Sequence, residues 1–131
     1  MKTDKEIVDD IKKYLEGLPL ASEITGVITS LDRPKNSKKE DVCIKILSNE
    51  LGQLQMAMVN VNIYVPDILK KDQYVENEPR TRKLQRLFAD ALERHHGGFF
   101  RFYSDSMSCF RVEGLNEHQI NFKLIYQTTN D

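Results

Sequence analysis

The run from Leu54 to Asp67, LQMAMVNVNIYVPD, keeps a period of two without a break. Ala57, Val59, Val61, Ile63 and Val65 fall on one face, and Leu54, Met56, Met58, Asn60, Asn62 and Tyr64 on the other. Successive side chains leave a strand on opposite sides, so this alternation specifies a long strand with one buried face. Pro66 ends it, because proline has no N–H for a ladder and pushes the residue before it into extended backbone. Such a strand needs partners on both edges and an apolar layer over its valine face.

The flanking sequence supplies both. Thr3 and Glu6 have the spacing of a capping box, in which each side chain satisfies a backbone donor left free by the first helical turn. Ile7, Val8, Ile11, Tyr14, Leu15 and Leu18 then recur at helical spacing, and Gly17 with Pro19 closes this first helix. A second helix is predicted from Asn77, Glu78 and Pro79, with Leu84, Leu87, Phe88, Ala91, Leu92 and His95 as its buried stripe and Gly97-Gly98 as its stop. On this reading His95 and His96 sit at a helix C-terminus, where the dipole favours them.

Strands account for most of the rest. Ile24, Val27, Ile28 and Leu31 mark a short first strand ending at Asp32-Arg33-Pro34, and Asp41 to Leu47 a second. The turn Ser48 to Gly52 makes this second strand and the central one a hairpin. Phe99 to Tyr103 and Cys109 to Val112 form either one interrupted strand or two short ones, and His118 to Gln127 is the last, with Ile120, Phe122, Leu124 and Tyr126 on one face. Pro34 to Glu40 reads as a mobile polar loop. Asp67 to Pro79, charged and without a sustained period, is a connection long enough to be functional or disordered. The expected architecture is a single α+β domain over residues 1–131, in the order α-β-β-β-α-β-β. Its largely antiparallel sheet has about five strands and carries two helices on one face.

Charge and residue type narrow the function. Nineteen basic and twenty acidic residues nearly cancel, which disfavours a protein built to coat a polyanion. The opening MKTDKEIVDDIKKYL mixes acidic with apolar residues, so neither a signal peptide nor a membrane span is expected, and the expected location is cytoplasmic. Cys43 and Cys109 lie in separate strand-like runs and read as reduced small hydrophobes. No metal motif, cofactor loop or nucleophile elbow appears: Ser104, Ser106 and Ser108 lack the G-x-S-x-G setting, and the glycines are scattered or paired at an element end. The adjacent carboxylates Asp9-Asp10 and Glu40-Asp41 read as solvated charge. Catalysis is therefore not expected.

Two surfaces remain as candidates. The outer face of the central strand, Leu54, Met56, Met58, Asn60, Asn62 and Tyr64, is half apolar where a free sheet face should be polar. Methionine suits adaptable contact, so this face either meets a protein partner or is covered by the chain's own arm or long loop. The basic loop residues Arg33, Lys35, Lys38 and Lys39 either touch phosphate or simply solvate the loop.

The element order, with Arg33-Pro34, Glu40-Asp41 and the run VNVNIYVPD from Val59 to Asp67, resembles the tail-terminator and tail-completion proteins of long-tailed phages and prophage-like tail clusters. The resemblance implies a structural protein that forms a homo-oligomeric ring, of about six copies, at the end of the tail tube. It implies tail-tube and head-connector partners, a transient contact with passing DNA, no membrane, and a place in the virion tail after assembly in the bacterial cytoplasm. A small adaptor of no phage origin, binding one partner through the same strand face, is the alternative. An enzyme whose site the long loop completes is the weakest reading.

Overall fold

A computed structural model describes residues 1–129. The first helix, α1 (Asp4–Glu16), is capped as expected: Thr3 Oγ1 accepts from the Glu6 N–H at 3.3 Å, and Glu6 Oε1 accepts from the Thr3 N–H at 2.9 Å. Ile7, Val8, Ile11 and Leu15 are its buried residues. A short 3-10 turn at Pro19–Ser22 then reverses the chain toward the sheet.

Among the described residues the sheet has six strands where about five were expected, and it is largely antiparallel as expected, with one parallel pair that makes it mixed. They are β1 (Ile28–Thr29), β2 (Val42–Glu50), β3 (Leu54–Pro66), β6 (Arg94–Gly97), β7 (Phe100–Arg111) and β8 (Glu117–Thr129), side by side in the order β1-β2-β3-β8-β7-β6. The central strand β3 pairs with β2 on one side and, along its whole length, with β8 on the other. Among the described residues only β1 runs parallel to its neighbour, pairing Ile28 with Val42 and Thr29 with Cys43. A parallel pair needs a long crossover, and residues 30–41 form it. The strand expected from Ile24 to Leu31 is correspondingly cut to two residues.

Two further expectations change between β3 and β7. The segment from Asp67 to Pro79 contains an ordered hairpin, β4 (Ile68–Lys70) with β5 (Gln73–Val75). Lys71 and Asp72 both have positive φ, 49° and 63°, which is the turn that matches strand twist. The sequence gives no Asn-Gly or Asp-Gly signal there, and three-residue strands are too short to show a period. Helix α2 (Glu78–Leu92), entered through the Asn77 cap, ends at Leu92 instead of running to His95. His95 and His96 lie on β6, and the Gly97-Gly98 pair, with Gly98 at φ 61°, turns a hairpin rather than stopping a helix. The His95 ring packs against Tyr14, Phe100 and Phe102, with centroids 4.8, 5.1 and 5.4 Å away. Phe100 to Arg111 forms one strand, with a bulge between Ser104 and Ser106, which decides the choice the sequence left open.

One continuous core lies between the helices and the sheet. Ala57, Val59, Val61, Ile63 and Val65 of β3, with Ile120, Phe122, Leu124 and Tyr126 of β8, face Ile7, Ile11 and Leu15 of α1 and Leu84, Phe88 and Leu92 of α2. Tyr14 Oη donates to the Ala91 carbonyl at 2.7 Å, tying the two helices together. The same face of β3 starts with a polar residue, the fully buried Gln55. Its amide is satisfied by the Lys2 backbone and by Asn49 Oδ1, at 2.6–2.8 Å. The Tyr126 hydroxyl donates to Asp10 Oδ2 at 2.6 Å; burial first, and Asp10 second, push it well above the usual phenol range. Asp10 is therefore part of the fold's polar framework, not free charge.

Candidate functional site: the uncovered sheet face and its charged rim

With both helices on one side, the other side of the sheet presents the candidate residues of β3. Strand register decides what lies beside them. Met58 is opposite Ile125 of β8, which in turn is opposite Tyr103 of β7, while Met56 is opposite Gln127. Met56, Met58, Ile125 and Tyr103 thus form an apolar patch across three strands, with Leu54 at its end. Ile125 is only 9 % exposed, whereas Leu54 and Tyr103 are about 40 % exposed, so the patch has a shielded centre and an open border. Ile125 and Tyr103 escape sequence reading because each belongs to a strand whose apolar period points to the core.

The other half of the face is polar and tied to itself. Asn121 Nδ2 donates to Asn62 Oδ1 at 2.7 Å and to Asn60 Oδ1 at 3.2 Å, and Gln119 Nε2 donates to Asn62 Oδ1 at 2.8 Å. These cross-strand amides fix the register of β3 on β8 and leave fewer groups for an outside partner. Tyr64 closes the row beneath the Arg33 guanidinium, 4.2 Å from the ring centroid. Of the six predicted residues, Met56 and Met58 therefore form the adhesive part, Asn60 and Asn62 the polar ladder, and Tyr64 a platform for a cation.

Arg33 itself is fully engaged. Nε donates to Asp41 Oδ2 at 3.0 Å, Nη1 to both oxygens of Glu117 at 2.8 and 2.9 Å, and Nη2 to the carbonyls of Ser37 and Lys39. Burial disfavours its charge, but the two carboxylates outweigh this and raise its pKa. Lys35, Lys38 and Lys39 remain exposed, and Lys35 and Lys38 line a cleft of about 730 Å³ that Tyr74 and Asn116 also border. The loop from Pro34 to Glu40 is thus wound around Arg33 rather than free.

The Glu40-Asp41 pair is likewise not solvated charge, since both are buried, at 5 % and 1 % exposure. Arg80 of α2 forks onto Glu40 at 2.7 and 2.8 Å. For Asp41, burial pushes the carboxyl up, but donors from Ser37, the Val27 N–H and Arg33 together hold it below the usual range. The sign follows. A depressed carboxyl adds stability above its unfolded value, about pH 4, and that share is lost as pH falls through the lower folded value. Urea midpoints should therefore drop on acidification below about pH 4, and Asp41→Asn should shrink that drop while lowering the midpoint at pH 7. An unchanged acid slope in Asp41→Asn would contradict the assignment.

A second polar group lies behind this rim. Asp67 Oδ1 meets His118 Nδ1 at 2.7 Å, and His118 Nε2 is 3.6 Å from Glu76. His118 and Cys109 both border a groove at the start of α2. Burial, and then Glu76, push the Cys109 thiol up, the reverse of what an activated nucleophile requires. Among the described residues no three His, Cys, Asp or Glu side chains converge as metal ligands would, and no helix is long and apolar enough to cross a membrane. In comparisons with known proteins, no family model matches the chain and no curated protein matches it significantly.

Proposed function

We propose that the protein is a structural subunit of the tail-terminator kind, which assembles with copies of itself into a ring at the end of a phage-type tail tube. The observation that supports this is the apolar patch of Met56, Met58, Ile125 and Tyr103 on the helix-free face of the sheet. It is an adhesive surface on a stiff, register-locked strand, and methionine adapts to curved neighbours. In a closed ring each copy meets the next through two different patches, so this face would rest on another part of its neighbour. The exposed lysines Lys35, Lys38 and Lys39 project from the loop end of the sheet, where they would face the head connector or passing DNA. Engaging Arg33 internally keeps the loop in shape for that contact.

Light scattering after size exclusion tests the ring directly, with negative-stain images of any large species. The expected mass corresponds to about six copies, alone or when tail tubes are added. Met58→Lys should abolish that species, because an ammonium on the patch would have to be desolvated, while folding stability stays within roughly 1 kcal/mol of the parent. A parent that remains without rings even on tubes overturns the proposal.

A further inference from the structure

The two edges of the six-stranded sheet are managed differently. At one edge β1 covers the start of β2, and the uncovered remainder of β2 carries Lys45 and a bulge between Ile46 and Ser48. Charge and bulges are devices that discourage a further strand from adding. At the other edge β6 covers β7 only from Phe100 to Tyr103. Beyond a last bond from the Ser104 N–H to the Glu93 carbonyl, β7 continues to Arg111 with no strand beside it among the described residues. Every residue from Asp105 to Arg111 is exposed, and Ser106 to Phe110 contains neither charge nor proline. The bulge at Asp105 and the charge of Arg111 mark its two ends, and between them the edge is open.

Backbone parity shows which groups it offers. The Val112 N–H donates to the Glu117 carbonyl, so Val112 faces β8. The unbroken register from Ser106 to Arg111 then turns Phe110, Ser108 and Ser106 toward β8, and turns the N–H and C=O groups of Arg111, Cys109 and Met107 outward. The segment Asp105-Ser-Met-Ser-Cys-Phe-Arg111 is also self-complementary in charge: an antiparallel copy centred on Ser108 brings Asp105 of each strand opposite Arg111 of the other. In that register Met107 faces Cys109 of the second copy, and both are outward-pointing residues, as a hydrogen-bonded pair requires.

We infer that two copies of this chain pair through the β7 edge from Asp105 to Arg111, two-fold and antiparallel, joining their sheets into one. This contact uses the sheet edge rather than the Met56 and Met58 face and does not rest on ring assembly. Where rings form, it would couple them back to back. Only seven residues of each copy pair, so the dimer is expected to be concentration-dependent.

The test uses the full chain with Cys109→Ser, which leaves the buried Cys43 as the remaining native thiol. Adding Ser108→Cys places two thiols directly opposite, at a non-hydrogen-bonded pair with Cα atoms about 4.5 Å apart. Adding Ser106→Cys instead leaves them four residues out of register, about 13 Å apart. Under mild oxidation the first should form a disulfide-linked dimer at least about tenfold faster than the second, since Cα atoms beyond about 7 Å cannot be bridged. Sedimentation velocity over a concentration range, on the otherwise unaltered chain, adds Cys109→Pro. Proline there removes an outward N–H without touching the β8 ladder, so the variant should fold normally and weaken the dimer at least about tenfold. Equal cross-linking at the two positions overturns the proposal. So does a parent that stays monomeric at every concentration, or a dimer that Cys109→Pro leaves intact.

Discussion

Arg33→Met is expected to cost about 3–5 kcal/mol of folding stability, lowering the thermal midpoint by roughly 10 °C or more for a chain of this size. A guanidinium has five N–H donors, and here each has an acceptor, on Asp41, Glu117 or the carbonyls of Ser37 and Lys39. The side chains of Asp41 and Glu117 are 1 % and 7 % exposed. Removing the arginine leaves both carboxylates buried without a counter-charge, which costs far more than the intact pair contributes. Arg33→Lys should recover only part of the loss, because one ammonium cannot fork onto Glu117, reach Asp41 and lie flat on Tyr64 together. Alanine at Lys35, Lys38 or Lys39 should change stability by no more than about 0.5 kcal/mol. Urea unfolding of the five variants separates these outcomes. An Arg33→Met protein as stable as the lysine variants would mean that the cluster does not hold the loop to β8.

That contrast also marks where sequence reading stops. Periodicity places β3, β8 and both helices, because their buried faces repeat over many residues and each repeat reports the same neighbour. It likewise picks out Met56 and Met58 as anomalous on an open face. It cannot rank Arg33 among four basic residues, since what distinguishes Arg33 is Glu117, far along the chain and brought near only by β3–β8 pairing. The same distance hides Ile125 and Tyr103, which join the patch through register alone. Short elements fail for another reason: two residues of β1 and three each of β4 and β5 are fewer than any period needs. His95 misleads because it follows Leu92 by three positions, a spacing that suits a helix even where the backbone has already turned into a strand.

Gly26 extends the argument from charge to space. Gly26→Ala is expected to cost about 3 kcal/mol or more, because overpacking against backbone cannot relax by a rotamer change. A Cβ there would fall 2.1 Å from Asp41 Oδ1, 2.6 Å from the Glu40 carbonyl oxygen and 2.7 Å from its carbon. Neither neighbour can give way easily. The Glu40 carbonyl accepts from the Gly26 N–H at 3.1 Å, and the Val42 N–H donates to the Val27 carbonyl at 2.8 Å. Asp41 Oδ1 accepts from the Val27 N–H at 3.0 Å, and the Glu40 side chain is forked by Arg80. Alanine would ordinarily stabilise by about 0.4–1 kcal/mol through the unfolded chain, so a large loss here measures contact alone. Gly52→Ala is the control, since the nearest atom to its Cβ lies 3.7 Å away. With that clash, amide exchange at Val42 should accelerate with the loss of stability, as β1 is pushed off β2. Because β1 covers the start of the β2 edge, the same variant should also associate more readily when heated, through an edge that is otherwise shielded. Gly26→Ala and Gly52→Ala proteins of equal stability would show that the approach of β1 to residues 40 and 41 is looser than these distances.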